Sequence, residues 1–566
     1  MQTNKTAIRH LAHICAALNV RHIVFSPGSR CAPLVLAFEN EKDIATYTII
    51  DERSAAYTAV GMAQQYGHPV ALVCTSGTAV LNYAPAIAEA YYQRIPLLIL
   101  TGDRPREWIG QMDMQTIAQN GIFQNYIKKS FELTAELHHP DELWHNDRII
   151  CEAIYHCLYP APGPVHINIP MREPLYTMKE SVDDPSAPKI IHAHTRTPYP
   201  DAATLALLAD EWKASSRIMI LTGLLKPDPL LRALLRRLAK EKNVVILTES
   251  TSNLPGEEFV QQIDLLLESM NAEEMRAFSP DLLISIGGYV VSKKIKTLFR
   301  SSKPRSHWHI DAAGEMADTY QVLSRLLIWD THALLKAALE FDPINGEWRK
   351  SIMQRYAQAL AAKARYTSSL PFCDLKVYEI LSHYLTEDYV LQWGNSTPVR
   401  YSNLINLPFH CHSYANRGVG GIDGTVSTAL GAAMACRKPV LLVVGDLGFG
   451  YDSNALWNPY IHHLPLRMIV LQNGGGNIFR IIDGPEKTGE DIFSSYFETP
   501  HPYSIKGLAA AYNIKHLIAT DEDGLHKQLP SFLAPAPYPM IFEIITDGKA
   551  SSLFLKELFA RIKKGL

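Results

Sequence analysis

Residues 445–479, GDLGFGYDSNALWNPYIHHLPLRMIVLQNGGGNIF, constrain what this chain can fold into more than any other stretch. They begin where the apolar run 440–444 stops at Gly445-Asp446. A branched run of that length, closed by glycine, predicts a buried parallel strand. Asp446 then sits at the C-terminal end of the strand, where open α/β sheets hold their ligands. A second such run, 468–471, leads to Asn473, with 26 residues between Asp446 and Asn473. Two oxygen ligands from neighbouring strand ends, among glycines that let the backbone come close, suit a hard octahedral cation on a diphosphate. Taken alone, the pattern fits equally a helix cap at Asp446 and an ordinary turn at Asn473-Gly474. The rest of the chain has to decide.

A chain of 566 residues exceeds a single core, and the first third alternates strand and helix signals. Strands are expected at 22–25, 46–50, 70–74 and 97–100. Each is followed by a polar cluster: SPGSR, Asp51-Glu52, TSGT and TGDRP. Residues 180–200 lack apolar periodicity and read as a linker. A second α/β region has strands near 218–221, 244–247 and 282–286. A third, from about 371, has strands near 389–392, 440–444, 468–471, 516–518 and 540–545. The net charge of −3 gives no basic surface for nucleic acid and no polybasic membrane patch. No apolar run reaches the roughly 18 residues of a membrane span, so no membrane insertion is expected. Eight cysteines without a CxxC pair read as free thiols in a reducing, cytoplasmic setting, and the N-terminus reads as part of the folded domain, with no transit peptide.

Glu52 heads a helix rich in small residues, one position past a strand end, and Ile422 sits in the glycine-flanked loop RGVGGIDG. Together with the Gly445-Asp446 and Asn473 pattern, these resemble the thiamine-diphosphate-dependent enzymes of the pyruvate oxidase and acetolactate synthase type, over the whole chain. The resemblance implies an α/β fold of three doubly wound parallel-sheet domains of the pyruvate oxidase/decarboxylase type. These would be a pyrimidine-binding domain at 1–185, a middle domain at 200–345 and a domain for diphosphate and magnesium at 371–566. It also implies that Glu52 meets N1′ of the aminopyrimidine and that Ile422 wedges beneath the thiazolium. Gly77, Gly445, Asp446, Leu447, Asn473 and Ile478 would contact thiamine diphosphate. Asp446, Asn473 and Gly475 would hold Mg2+, with Mn2+ as its alternative. A glutamic acid kept protonated by an apolar pocket can protonate N1′, which turns the cofactor's own 4′ nitrogen into the base for the C2 proton. In this family the two halves of the cofactor bind different subunits. Glu52 of one chain would then serve Asp446 of another, in a homodimer or homotetramer.

FSPGSRCAPL, DERSAAYTAVGMA, CTSGTAVLNYAPAIAEA, LTGDRPRE, NRGVGGIDG and GDLGFGYDSNAL resemble one branch of the family. Its members decarboxylate 2-oxoglutarate and add the succinyl unit to isochorismate in menaquinone biosynthesis. Both substrates are dianions, and five cations could offset their four charges. Matching motif positions implies Arg30, Arg104, Gln115 and Lys293 for isochorismate, and Ser396, Arg400 and Arg417 for 2-oxoglutarate. Ser29, Ile478 and Phe479 would line the shared pocket. Arginine grips a carboxylate with two parallel bonds, whereas lysine acts as a point charge. Three other readings stay open: another 2-oxoacid decarboxylase or carboligase resembling acetolactate synthase, a non-catalytic relative, and a nicotinamide-dependent dehydrogenase without the usual phosphate fingerprint.

Overall fold

The apolar runs become the central strands of three parallel sheets in the computed structural model, which describes residues 2–179, 187–195, 198–408 and 410–565. Part of the 180–200 passage, 180–186 and 196–197, lies outside the described residues; the remainder carries neither helix nor strand. A short antiparallel pair joins β1 (Gln2–Thr3) to β8 (Met178–Lys179). Between them run β2 (His22–Phe25), β3 (Ala45–Thr48), β4 (Val70–Cys74), β5 (Leu97–Asp103), β6 (Ser130–Glu132) and β7 (Val165–Pro170). They form one sheet in the order β3-β2-β4-β5-β7-β6. The second sheet holds β9 (Ile218–Thr222), β10 (Val245–Leu247), β11 (Leu282–Ile286), β12 (Ser306–Ile310) and β13 (Leu323–Leu327), ordered β10-β9-β11-β12-β13. The third has β14 (Val390–Trp393), β15 (His412–Ala415), β16 (Val440–Gly445), β17 (Leu466–Gln472), β18 (Lys515–Ala519) and β19 (Met540–Ile545), ordered β15-β14-β16-β17-β19-β18.

Successive side chains of a strand face opposite ways, so a run that is apolar at every position must be covered on both faces. The third sheet does this. Leu441, Val443, Ile469 and Leu471 enter one core, and Leu442, Val444, Met468 and Val470 enter the other. The first and second sheets divide in the same manner. All three are therefore doubly wound parallel sheets, as expected.

The first and third sheets share one strand order, with the chain reversing direction between the first and third strands of each. Ligands of open α/β sheets bind at such reversal points. In the third sheet the point lies between the ends of β14 and β16, next to Ser396 and Asp446; in the first it lies between β2 and β4, next to Ser29 and Gly77. The helices after the second strand of each sheet, Glu52–Tyr66 and Thr425–Ala435, pack against each other. Glycine makes this approach feasible. A Cβ on Gly61 would lie 2.0 Å from the Thr428 carbonyl oxygen, and one on Gly431 would lie 1.9 Å from that of Thr58.

Several strands went unread in the sequence: β6, β7, β12, β13 and β15. Polar residues interrupt their apolar pattern, and several of them find hydrogen-bond partners on neighbouring strands. In β7, His166 and Asn168 are buried against the Thr101 hydroxyl at 2.7 and 2.9 Å. In β12, His307 and His309 meet the Ser285 hydroxyl at 2.7 and 2.8 Å. β5 also extends beyond the expected 97–100, to Asp103, so Arg104 follows the strand directly. Seven of the eight cysteines are buried, and all eight are free thiols. Among the described residues no helix is long and apolar enough to cross a membrane.

Candidate active site

Asp446 is the fixed centre of the third sheet's ligand edge. Its side chain is buried, with Oδ1 accepting from Leu447 N at 2.7 Å and Oδ2 from Gly474 N and Gly475 N at 2.9 and 3.0 Å. Burial raises its pKa, and these backbone donors oppose the rise. Gly475 has φ +132°, and a Cβ there would lie 2.2 Å from the Glu498 carbonyl oxygen, so only glycine fits. Its own carbonyl accepts from Asn477 N at 2.8 Å and keeps a second lone pair. Asn473 donates through Nδ2 to Asp374 at 2.9 Å, which leaves its side-chain oxygen for a ligand.

This edge fits a diphosphate and a cation by two observations. Both polar atoms of the buried Asn477 amide lack a hydrogen-bond partner, a costly state that a polar ligand relieves. Gly445 and Gly474 face open space, with nothing within 4 Å of where a Cβ would stand. Leu447 and Ile478 are half-buried beside them. Ile422 lies against the same loop, its Cβ 3.8 Å from a Cβ built on Gly448.

Glu52 begins its helix after the Asp51 cap, whose carboxylate accepts from Ser54 N. It is half-buried, and the first two turns of its helix meet the segment 423–427 that follows Ile422. Ser54 Oγ lies 2.9 Å from Ser427 Oγ, and the Tyr57 hydroxyl donates to Asp423 at 3.1 Å. Among the described residues no hydrogen bond or ion pair joins Glu52 to Asp446 within the chain.

The expected substrate residues fall into two groups. The first surrounds the first sheet. Arg30 is buried, donating to the Met171 carbonyl at 2.8 Å and pairing with Glu173 at 3.1 Å. Burial and then Arg104 lower its pKa. Arg104 reaches the Met114 carbonyl at 3.3 Å, and its Nε, which makes no hydrogen bond, lies 3.7 Å from the Asp113 carboxylate. Gln115, exposed at φ +58°, crosses over Gly77, itself at φ +87°, while Ser29 is exposed at the mouth. Gly77 N donates to the buried Gln119 at 3.0 Å.

The second group lies between the second and third sheets. Arg417 donates to Asn395 at 2.9 Å, and burial, then Arg400, lowers its pKa. Arg400 and Arg417 each bury an unpartnered Nε. Ser396 takes φ +74° at the start of the helix Thr397–Tyr401 that carries Arg400. Lys293 is exposed at the wall of a cavity of about 770 Å³ that Arg400 also lines. Its neighbour Lys294 is engaged instead by Glu268 and by the Phe559 ring at 4.2 Å. Phe479 packs edge-on to Phe497 at 5.5 Å. Among the described residues no hydrogen bond or ion pair joins the two groups.

Sequence reasoning passed over Asp374, which orients Asn473; Asn477; and His501, whose Nε2 lies 3.3 Å from the Asp446 carboxylate. Asn477 stood in the NGGGN run, where an asparagine among glycines was the available signal. Asp374 and His501 approach from distant segments and carried none.

Fold and site together define a thiamine pyrophosphate enzyme. Residues 5–125 match the model of the N-terminal TPP binding domain of those enzymes, 199–392 the middle domain, and 394–544 the C-terminal TPP binding domain. Within that class the chain belongs to the family of proteins named 2-succinyl-5-enolpyruvyl-6-hydroxy-3-cyclohexene-1-carboxylate synthase. The protein of that name from Christiangramia forsetii is 37% identical, with 98% of each chain covered. The one from Desulfotalea psychrophila is 39% identical over 96% of this chain and 98% of its own. That from Phocaeicola vulgatus is 34% identical over 100% and 99%. The protein is thus a thiamine-diphosphate-dependent enzyme of the transferase and carboligase type.

Proposed function

We propose that the protein decarboxylates 2-oxoglutarate and adds the remaining succinyl unit 1,4 to isochorismate, giving 2-succinyl-5-enolpyruvyl-6-hydroxy-3-cyclohexene-1-carboxylate. The observation that carries this reading is the pair of like-charged clusters at the sheets' ligand edges, where the Arg104 charge lowers the Arg30 pKa and the Arg400 charge lowers that of Arg417. Glu173 and Asp113 offset part of the first cluster, and the repulsion that remains in each favours an anionic ligand. Thiamine diphosphate, when bound, would supply the carbon nucleophile for the 2-oxo carbon and take up the electrons released with carbon dioxide. Glu52 would hydrogen-bond N1′, and Ile422 would pack beneath the thiazolium. Asp446, Asn473 and the Gly475 carbonyl would hold Mg2+, or Mn2+ in its place, and the Asn477 amide would add polar contacts to the diphosphate.

Arg400 and Arg417 grip 2-oxoglutarate, with Ser396 beside them. Arg30, Arg104, Gln115 and Lys293 grip isochorismate, and Ser29, Ile478 and Phe479 close the pocket. The site is shared between subunits of a homodimer or homotetramer, the first group of one chain facing the second group of another. The exposed Trp108, Met112 and Met114 beside Gln115 support this, as apolar surface that a partner would cover. A cytoplasmic location accords with eight free thiols.

Arg400→Ala tests the substrate. Loss of a charged pair costs about 1.5–3 kcal/mol, a tenfold or greater rise in KM for 2-oxoglutarate. Pyruvate, which lacks the distal carboxylate, should be handled by variant and parent alike. Equal losses with both acids would favour an enzyme resembling acetolactate synthase.

A further inference from the structure

The polar loop after β10, Thr248 to Asn253, is almost wholly buried: Glu249 is 4% exposed, Thr251 and Ser252 are sealed, and Asn253 is 8% exposed. Five of these six polar residues are buried and Ser250 is half-buried, a costly arrangement for groups left without partners. The Thr248 and Thr251 hydroxyls have none, whereas the partners of Glu249, Ser250 and Asn253 follow a pattern. Glu249 accepts from Val291 N at 2.6 Å and Ser292 N at 2.7 Å, the two residues immediately before Lys293. Ser292 then caps the helix Lys293–Ser301 by accepting from Ile295 N at 3.1 Å. Ser250 N donates to Asn403 at 2.8 Å, and its hydroxyl lies 2.7 Å from that of Ser402. Both partners sit in the turn that continues the Arg400 helix. Asn253 accepts from Ser413 N at 2.7 Å and donates to Ser413 O at 2.9 Å. It thereby occupies the free edge of β15, whose end leads in two residues to Arg417.

We infer that this loop positions the substrate cations: Glu249 sets Lys293, Ser250 sets Arg400, and Asn253 sets Arg417. A loop serving only to join two domains has no reason to touch three segments that each carry one of these cations. The two Glu249 oxygens each hold one of two adjacent backbone N–H groups, a directional pair of bonds that suits keeping a lysine's backbone in register. Sites built this way lose substrate binding when the supporting contacts loosen, although the groups touching substrate remain. The inference rests on the assignment of Lys293, Arg400 and Arg417 to substrate proposed above.

Steady-state kinetics on the intact enzyme tests it, with thiamine diphosphate affinity measured by calorimetry. Glu249→Ala should raise KM for isochorismate at least fivefold. Asn253→Gly, which keeps the left-handed backbone at φ +55°, should do the same for 2-oxoglutarate. In both, kcat should stay within twofold and cofactor affinity should be unchanged. Glu249→Gln keeps an acceptor and should recover at least half of the loss, and it stands in if the alanine variant fails to fold. Lys293→Ala and Arg417→Ala are run beside them. If these leave KM unchanged, the assignment of the cations falls. If they raise KM while the loop variants do not, the inference falls. A joint rise of both KM values with a fall in kcat from either loop variant is what a domain strut alone would give, and it also overturns the inference.

Discussion

Asp452 is fully buried at the end of the Asp446–Tyr451 helix and accepts from Ser427 N at 2.6 Å and Ser427 Oγ at 2.7 Å. The same hydroxyl meets Ser54, two residues past Glu52, so one carboxylate links the diphosphate edge to the first turn of the Glu52 helix. Burial pushes the Asp452 pKa up to about 7 against those two donors. Its folded value therefore exceeds its unfolded one, and the native state holds the extra proton between about pH 4 and pH 7. Stability from this group falls as pH rises through that window, and the cost is fully present above pH 7. Asp452→Asn removes the titration. Relative to the parent, the variant should gain roughly 3 kcal/mol between pH 5 and pH 8, read from urea unfolding at each pH. A difference that does not change with pH would contradict this account of Asp452. Asp446 drew notice because it stands one residue past an apolar run, and Glu52 because it heads a helix one residue past an expected strand. Asp452 drew none, since its partners lie on a helix that the sequence does not place beside it.

At the scale of elements, the strands that carry ligand edges were the easiest to read. β4, β14, β16 and β17 are apolar at nearly every position and end in glycine or in polar residues that the fold uses. Strands such as β12 and β15 satisfy buried polar residues with side chains remote in sequence, so their local pattern reads as irregular. The pairing of helices Glu52–Tyr66 and Thr425–Ala435 was hidden for a related reason. Gly61 and Gly431 read locally as residues that weaken a helix, and their use appears only when the two backbones meet. The Thr248 to Asn253 loop gave no signal either, because its partners lie about 40 to 160 residues away.

At the scale of the whole molecule, the first and third sheets are two copies of one topology, so each has its own reversal point. The matching strand order left no legible repeat in the sequence. If the site is shared between subunits, Glu52→Gln and Asn473→Ala chains should each be inactive alone yet recover when co-expressed. Random pairing makes half the dimers hybrid, each with one intact site, so about a quarter of parental activity should return. No recovery would mean that Glu52 and Asn473 of one chain serve the same site. The most direct test of the central claim is mass detection of the product after incubation with thiamine diphosphate, Mg2+, 2-oxoglutarate and isochorismate. The account predicts one adduct whose mass is the sum of the two substrates less carbon dioxide. Carbon dioxide released with no adduct formed would contradict it.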